Sequence, residues 1–360
     1  MTKGSGRWTN RPEGANWGDF GDDDELGRVN LLTAEKVQRA AREIREGISF
    51  CLSLPLDRPA RSVNPSRHPP RRYALNRGGH PLFNFRLETV DPFFTDVACD
   101  DAVLLHLQHS TQWDALCHVG SQFDADGDGV RETVYYNGWR GGEDIVGVPD
   151  GAEAIEGCGF AGSAANRLAI DLLARHGMQG RGVLVNLYER YGREPAAVPF
   201  SDFETLMKEQ DVVVEEGDIL CLYTGLADVI LEMGERQDTE MLRASCCSLD
   251  GNDPDLLAWV AESGVAAIAA DNYGVESFPY RRVYDRKNTA TPASDAERTP
   301  MIPLHELCLF KLGIPLGELW YLGELAEWLG AHGRNRFFLT APPLRLPKAA
   351  GSPVTPIATV

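Results

Sequence analysis

What this chain of 360 residues lacks narrows its function before any motif is read. It has no apolar run approaching the roughly 18 residues that cross a bilayer, and its opening, MTKGSGRWTNRPEGANWGD, is polar and glycine-rich, so neither a membrane span nor a signal peptide is expected. Basic charge is scarce: 35 Lys and Arg stand against 53 Asp and Glu, a formal net charge of -18. Such a surface repels phosphate backbones and anionic lipid, which argues against nucleic acid and membrane as partners and leaves a small molecule. The eight cysteines, Cys51, Cys99, Cys117, Cys158, Cys221, Cys246, Cys247 and Cys308, contain no C-x-x-C pair. They read as reduced, mostly buried thiols, with the cytoplasm as the expected compartment.

What is present suits a soluble α/β enzyme. A hydrophobic content of 43% supports a substantial core, and length alone allows one large domain or two. Strands are expected at Phe50 to Leu54, Val103 to Leu107, Val183 to Leu187, Ile219 to Tyr223, Val265 to Ala269 and Phe337 to Thr340, several of them continuous apolar runs of the kind covered on both faces. Thr33 can cap a helix carrying Val37, Ala40, Ala41 and Ile44, with Gly47 beyond its end; Asp253 and Pro254 open another through Leu257 and Val260 towards Gly264; a third runs from about His305 to Leu312 before Gly313. Two stretches, Asn64 to Gly79 and Asn288 to Pro300, read as loops. Neither is long enough to separate domains, so a single α/β domain is expected.

The most informative segment is LLHLQHSTQWDALCHVG, Leu104 to Gly120. Gln108, Gln112, Asp114 and His118 follow at short intervals directly after an alternating run. If the chain winds up after that run, residues four apart share a face, bringing Gln108 to Gln112 and Asp114 to His118. A carboxylate with two amide oxygens suits a divalent cation, and an imidazole beside them could be ligand or general base. Spacing alone equally describes a polar surface turn.

This segment resembles the signature of the cyclase family of metal-dependent hydrolases, which includes kynurenine formamidase, isatin hydrolase and trans-dienelactone hydrolase. That signature reads His-x-Gly-Thr-His-x-Asp-x-Pro-x-His. Gln108 falls on its first His, Ser110 on the Gly, Thr111 on the Thr, Gln112 on the second His, Asp114 on the Asp and His118 on the last His, while Leu116 replaces the Pro. The blocks NWGDFGDDDELGRVNLLTAEKV, RGVLVNLYERYG, VVVEEGDILCLYTG, GVAAIAADNYGVES and PPLRLPKAAGSPVTPIA resemble family blocks in the same order, so the likeness covers most of the chain.

The resemblance implies a mixed sheet that curls towards a barrel, with helices outside, in one domain over residues 1–360 with an N-terminal extension around 1–48. It implies that His305 and Glu318 complete the metal site, so that Gln108, Gln112, Asp114 and His305 bind one ion while Glu318 and Asp114 bridge to a second. It also implies a homo-oligomer, dimer or tetramer. Two neutral amides in place of imidazoles weaken the case for a borderline-soft ion; Zn²⁺ is the first expectation and Mn²⁺ the alternative. His118 would act as general acid and base, with Thr111 as a supporting hydrogen-bond donor. The expected activity is opening of a lactone or a cyclic or formyl amide, with a lean towards a small acidic lactone because amide ligands leave a bound cation less neutralised. The alternative is a metal-poor relative that binds a small acid.

Other features compete for attention. Asp124, Asp126 and Asp128 resemble half of a calcium loop, but Tyr135 stands where a bidentate Glu is needed. Cys117 beside His118 invites a nucleophile reading, although adjacent residues usually point apart. His106 could approach the site more readily than His109 if the strand extends to it. Trp17, Trp113 and Tyr136 could line a pocket or fill the core.

Overall fold

A computed structural model describes residues 6–155, 159–279 and 298–360. Its central element is a nine-stranded mixed sheet. Numbered along the chain, its strands are β1 (Ser49–Cys51), β2 (Gln112–Asp114), β3 (Gln179–Asn186), β4 (Ile219–Tyr223), β5 (Ala267–Ala270), β6 (Leu316–Glu318), β7 (Arg336–Thr340), β8 (Gly351–Pro353) and β9 (Ile357–Thr359). They lie in the order β1-β9-β7-β3-β4-β5-β6-β2-β8. The run β3-β4-β5-β6 is parallel, and the flanking pairs are antiparallel. The sheet curls into a half-barrel with helices packed on it, as the resemblance implied.

The parallel centre was legible because it is covered on both faces. Every residue of β5 and all but the last of β4 are buried, which leaves an apolar run without alternation. Helices α1 (Ala34–Ala40), α2 (Phe200–Glu209), α3 (Leu226–Met233), α4 (Pro254–Ser263) and α5 (Gly323–Ala331) flank it. Thr33 caps α1 by accepting from the Lys36 amide at 3.3 Å, and Asp253 caps α4 through the Asp255 amide at 2.9 Å. Gly264 ends α4 at φ +69°. Phe203 of α2 meets Trp259 of α4 edge-on, with ring centroids 5.2 Å apart.

Several expectations need correction. Arg71–Arg77, inside the stretch read as a loop, is a strand between His80–Leu82 and Asp101–Leu104 in a peripheral three-stranded sheet. All seven of its residues are exposed, so no buried face imprints an alternation on the sequence. The strand expected at Val103 to Leu107 belongs to this outer sheet and stops at Leu104. The helix expected through Ile44 ends at Ala40 and tightens into a 3₁₀ turn over Ala41–Glu43. The third helix is a turn over Pro303–His305 running into a π-helix, Glu306–Leu312. Of the stretch Asn288 to Pro300, residues 288–297 lie outside the described residues.

The N-terminal stretch packs into the core. Trp17 is buried and donates its Nε1–H to the Phe310 carbonyl at 2.8 Å. Gly27 lies so close to Gly313 that a Cβ on it would sit 2.2 Å from the Gly313 carbonyl oxygen, and the Arg28 amide bonds that oxygen at 2.8 Å. The first helical turns are thereby fastened to the segment that carries His305. Among the described residues no helix is long and apolar enough to cross a membrane.

Candidate metal centre

The signature segment is itself a strand of the main sheet. Gln112, Trp113 and Asp114 form β2, paired antiparallel with β6 so that Gln112 faces Glu318 and Asp114 faces Leu316. Residues two apart on a strand share a face. Gln112 and Asp114 therefore point one way with Glu318 across from them, and Trp113 points the other way, where its Nε1–H donates to the Ala341 carbonyl at 2.8 Å. The convergence expected from helical spacing is achieved by strand spacing and a cross-strand pair. The chain then turns, the His118 amide bonding the Ala115 carbonyl at 2.8 Å, and this turn brings His118 back over Asp114.

The second half of the site arrives from the C-terminal third. His305 ends the short turn Pro303–His305, and Glu318 ends β6. Asp114, His305 and Glu318 each present a ligand atom within 4.8 Å of one another, all buried. His305 Nε2 is 3.5 Å from Glu318 Oε1, and His118 Nε2 is 3.8 Å from Asp114 Oδ1. Gln112 Nε2 donates to Glu318 Oε2 at 3.1 Å and lies 3.5 Å from Asp114 Oδ1. Gln108 lies in a turn before β2, with its amide against Gly351, the β8 residue paired with Asp114. Its side chain makes no hydrogen bond to Gln112, Asp114, His305 or Glu318 among the described residues.

Glu276 is a residue that sequence reasoning missed. It is buried, and its Oε1 accepts from both the His305 amide and His305 Nδ1 at 2.8 Å, while Oε2 accepts from the Leu304 amide at 3.1 Å. One carboxylate thus caps the turn and fixes the ring, leaving Nε2 to face Asp114 and Glu318. Room for it is made by Gly251, where a Cβ would fall 1.7 Å from Glu276 Oε2. Nothing in its spacing announced this role, because cap and capped turn are separated by 28 and 29 residues. Backbone strain brackets the two glutamates: Val275 and Leu319 have φ of +60° and +56°, which bulky residues rarely adopt.

Electrostatics explains what the cluster requires. Burial raises the Asp114 carboxyl, with Glu318 adding to the rise against His118, Arg67 and His305. Burial also works to raise Glu318, but the His305 hydrogen bond and the nearby Arg67, His305 and His118 charges bring it below its ordinary value. Burial lowers His305, yet Glu276 and Glu318 outweigh it and push His305 up to about 10. The carboxyl groups around the ring favour positive charge at this point, which a divalent cation can supply in place of a proton. Two buried oxygens of the cluster also have no hydrogen-bond partner among the described residues, Asp114 Oδ2 and Gln112 Oε1. Leaving such atoms unpaired costs about 1–3 kcal/mol each, more where the group is charged. Two carboxylates, an imidazole and an amide oxygen fit a divalent metal.

The remaining expectations sort clearly. Thr111 donates to the Leu319 carbonyl and accepts from the Leu54 amide at 2.8 Å, holding the backbone beside Glu318. His109 is buried, bonds the Pro59 carbonyl at 3.0 Å and is lowered by burial to about 4, a structural role. His106 packs edge-on against His68, ring centroids 5.1 Å apart, rather than into the cluster. Cys117 is buried and pushed up to about 12, which disposes of a thiolate. Asp124, Asp126 and Asp128 group together, but they accept the amides of Gly127, Gly129, Asp128 and Val130 as an ordinary acidic turn does. Trp17, Trp113 and Tyr136 are core residues. Above the cluster opens a cavity of about 90 Å³, its wall including Arg67, His118, Tyr273, His305 and Glu318.

With this geometry in hand, comparison with known proteins is informative. No curated protein matches the chain in sequence. Isatin hydrolase A from Labrenzia aggregata is 12% identical, with 89% of this chain and 95% of that one covered at a TM-score of 0.51, and an isatin hydrolase bound to thioisatinate is 11% identical at 0.51, covering 91% and 99%; both are likenesses of fold. A solved structure described as a novel cyclase is 30% identical over 96% of this chain and 97% of its own, with a TM-score of 0.68. The family model described as "Putative cyclase" matches residues 51–277, well over half of the chain, and with that relative it establishes that this protein belongs to the cyclase family.

Proposed function

We propose that the protein is a metal-dependent hydrolase that opens the carbonyl C–O or C–N bond of a small-molecule lactone or cyclic or formyl amide. The observation that carries this reading is the buried Asp114–His305–Glu318 cluster with Asp114 Oδ2 and Gln112 Oε1 unsatisfied beside it. Asp114, His305 and Glu318 are the ligands proposed first, with Gln112 completing the set and Gln108 at its margin over Gly351. Zn²⁺ is the first choice and Mn²⁺ the alternative. Bound there, a divalent ion would supply the Lewis acidity that makes water nucleophilic near neutral pH and polarises a carbonyl. Hydrolase relatives of the same fold, the isatin hydrolases, agree with this assignment.

The chain's own groups divide the remaining work. His118 lines the cavity and is partly exposed, so it can reach both water and a leaving group. It would accept the proton of the attacking water and return it to the departing oxygen or nitrogen, leaving an acid and an alcohol or amine. Asp114 can serve both demands made on it, because Oδ1 faces His118 while Oδ2 stays available for a cation. Glu276 holds the His305 ring. A small-molecule substrate, a homo-oligomer and a cytoplasmic location belong to the same proposal.

The test is turnover of an unsaturated lactone acid, isatin and N-formylkynurenine by Zn²⁺- or Mn²⁺-loaded protein and by His118→Ala. The wild type should hydrolyse at least one of them. In His118→Ala, kcat should fall by about 10² to 10⁴ with metal content retained. Metal-loaded wild type that turns over none of them, or a variant with undiminished kcat, would oppose the reading.

A further inference from the structure

Arg67 stands out among the arginines of this chain. Arg181, Arg190 and Arg58 each hold a carboxylate at 2.6–2.8 Å. Arg67 has a single ion-pair contact, Glu318 Oε2 at 3.8 Å, too long for a hydrogen bond. Its guanidinium, with five N–H donors, makes no hydrogen bond to any described residue. Nor is its near neighbour free to draw it in, since Glu318 Oε2 already accepts from Gln112 and Oε1 faces His305.

The side chain is nonetheless largely sheltered. It is only 23% exposed and forms part of the wall of the cavity above the metal-site residues. Its backbone is fixed by a turn in which the Arg67 amide bonds the Asn64 carbonyl at 3.1 Å and Asn64 Oδ1 accepts from the Ser66 amide at 2.9 Å. A planar, permanently charged fork with unspent donors, directed at a small cavity beside a reactive centre, is built for a planar anion.

We infer that Arg67 is the specificity-determining residue for a carboxylate-bearing substrate, holding that carboxylate while the scissile carbonyl lies over Asp114. This rests on the hydrolase reading and deepens it: the substrate is a small organic acid rather than a neutral lactone or amide. It also makes anion binding depend on the metal. Glu318, 3.8 Å from Arg67, repels an incoming carboxylate unless a cation shares its charge.

The experiment is calorimetric titration of Zn²⁺-loaded protein with benzoate and with benzamide, which match in shape and differ in charge. Wild type should favour benzoate. Arg67→Met should weaken benzoate by about ten- to a hundredfold, the loss of a charge-assisted pair, and leave benzamide unchanged. Arg67→Lys, which keeps the charge without the fork, should fall between. Absence of a benzoate preference in wild type, or a benzoate to benzamide ratio that Arg67→Met leaves untouched, overturns the inference. So does loss of Zn²⁺ from both variants, which would make Arg67 a member of the metal site's charge balance.

The two readings fail separately. Should the hydrolase reading fail alone, the Arg67-dependent benzoate preference persists while no test substrate is hydrolysed. Should Arg67 fail alone, charged and uncharged lactones are hydrolysed with equal kcat/KM, unaffected by Arg67→Met.

Discussion

Glu276 shows how one side chain can set the state of another. It carries no proposed contact to substrate or cation, yet it accepts from the amides of Leu304 and His305 and from the His305 ring. His305 Nε2 therefore faces its two acidic neighbours by construction, and no rotation has to be frozen when a cation replaces its proton. Removing such an outer partner typically weakens metal binding by about 10- to 100-fold. Glu276→Ala is expected to raise the Kd for Zn²⁺ by that factor in a competition assay with a chromophoric chelator, with circular dichroism unchanged. An unchanged Kd in folded protein would show that His305 needs no such support or is not a ligand.

At the level of elements, β2 and β6 form the platform on which the site is built, and their inner residues are as constrained as their polar ones. Gly317 pairs with Trp113 between Asp114 and Gln112 in register. A Cβ on it would lie 2.7 Å from Trp320 Nε1, 2.9 Å from Ala269 Cβ and 3.1 Å from the Trp113 ring. Trp320 cannot simply withdraw, since its Nε1–H donates to the Gln112 carbonyl at 3.2 Å and its ring meets Trp113 at 4.9 Å. Gly317→Ala should therefore destabilise the fold by about 1–3 kcal/mol, the usual cost of overpacking, read as a lower denaturant midpoint. A midpoint equal to that of wild type would mean that the strands part more easily than their packing suggests.

The same two strands explain what could be read from the sequence. Ile219 to Tyr223 was found residue for residue because both faces of β4 are covered and its apolar run is unbroken. The α4 start at Asp253 and Pro254 was found because a cap is a local event. β2 was not recognised as a strand: it is three residues long, and two of them, Gln112 and Asp114, are polar groups buried for function, which inverts the usual pattern. The family resemblance nevertheless brought Asp114 and His118, in the signature, and His305 and Glu318, in later blocks, to attention, and the fold gathers them. Glu276 and Arg67 were invisible because their roles depend on long-range contacts, with a turn 28 residues on and a strand end in the C-terminal third.

For the molecule as a whole, the curled sheet draws one site from segments some 200 residues apart, as the Gln112–Glu318 bond shows with a separation of 206. The N-terminal stretch supports the arrangement by fastening Gly27 to Gly313, just beyond the helix that follows His305. Acidic groups crowd the cluster: Asp114, Glu276 and Glu318 bring three buried carboxyl groups together, faced by His118, His305 and Arg67. Buried carboxyl groups converging on an imidazole, with two oxygens left without a partner among the described residues, call for a cation, and that is the central claim. The most direct test is metal content by elemental analysis of wild type and Asp114→Ala after loading with Zn²⁺ or Mn²⁺ and exhaustive buffer exchange. Wild type should retain at least one ion per chain, and folded Asp114→Ala should retain essentially none. Wild type that stays far below one ion per chain, or an Asp114→Ala variant that holds metal as wild type does, would contradict the account.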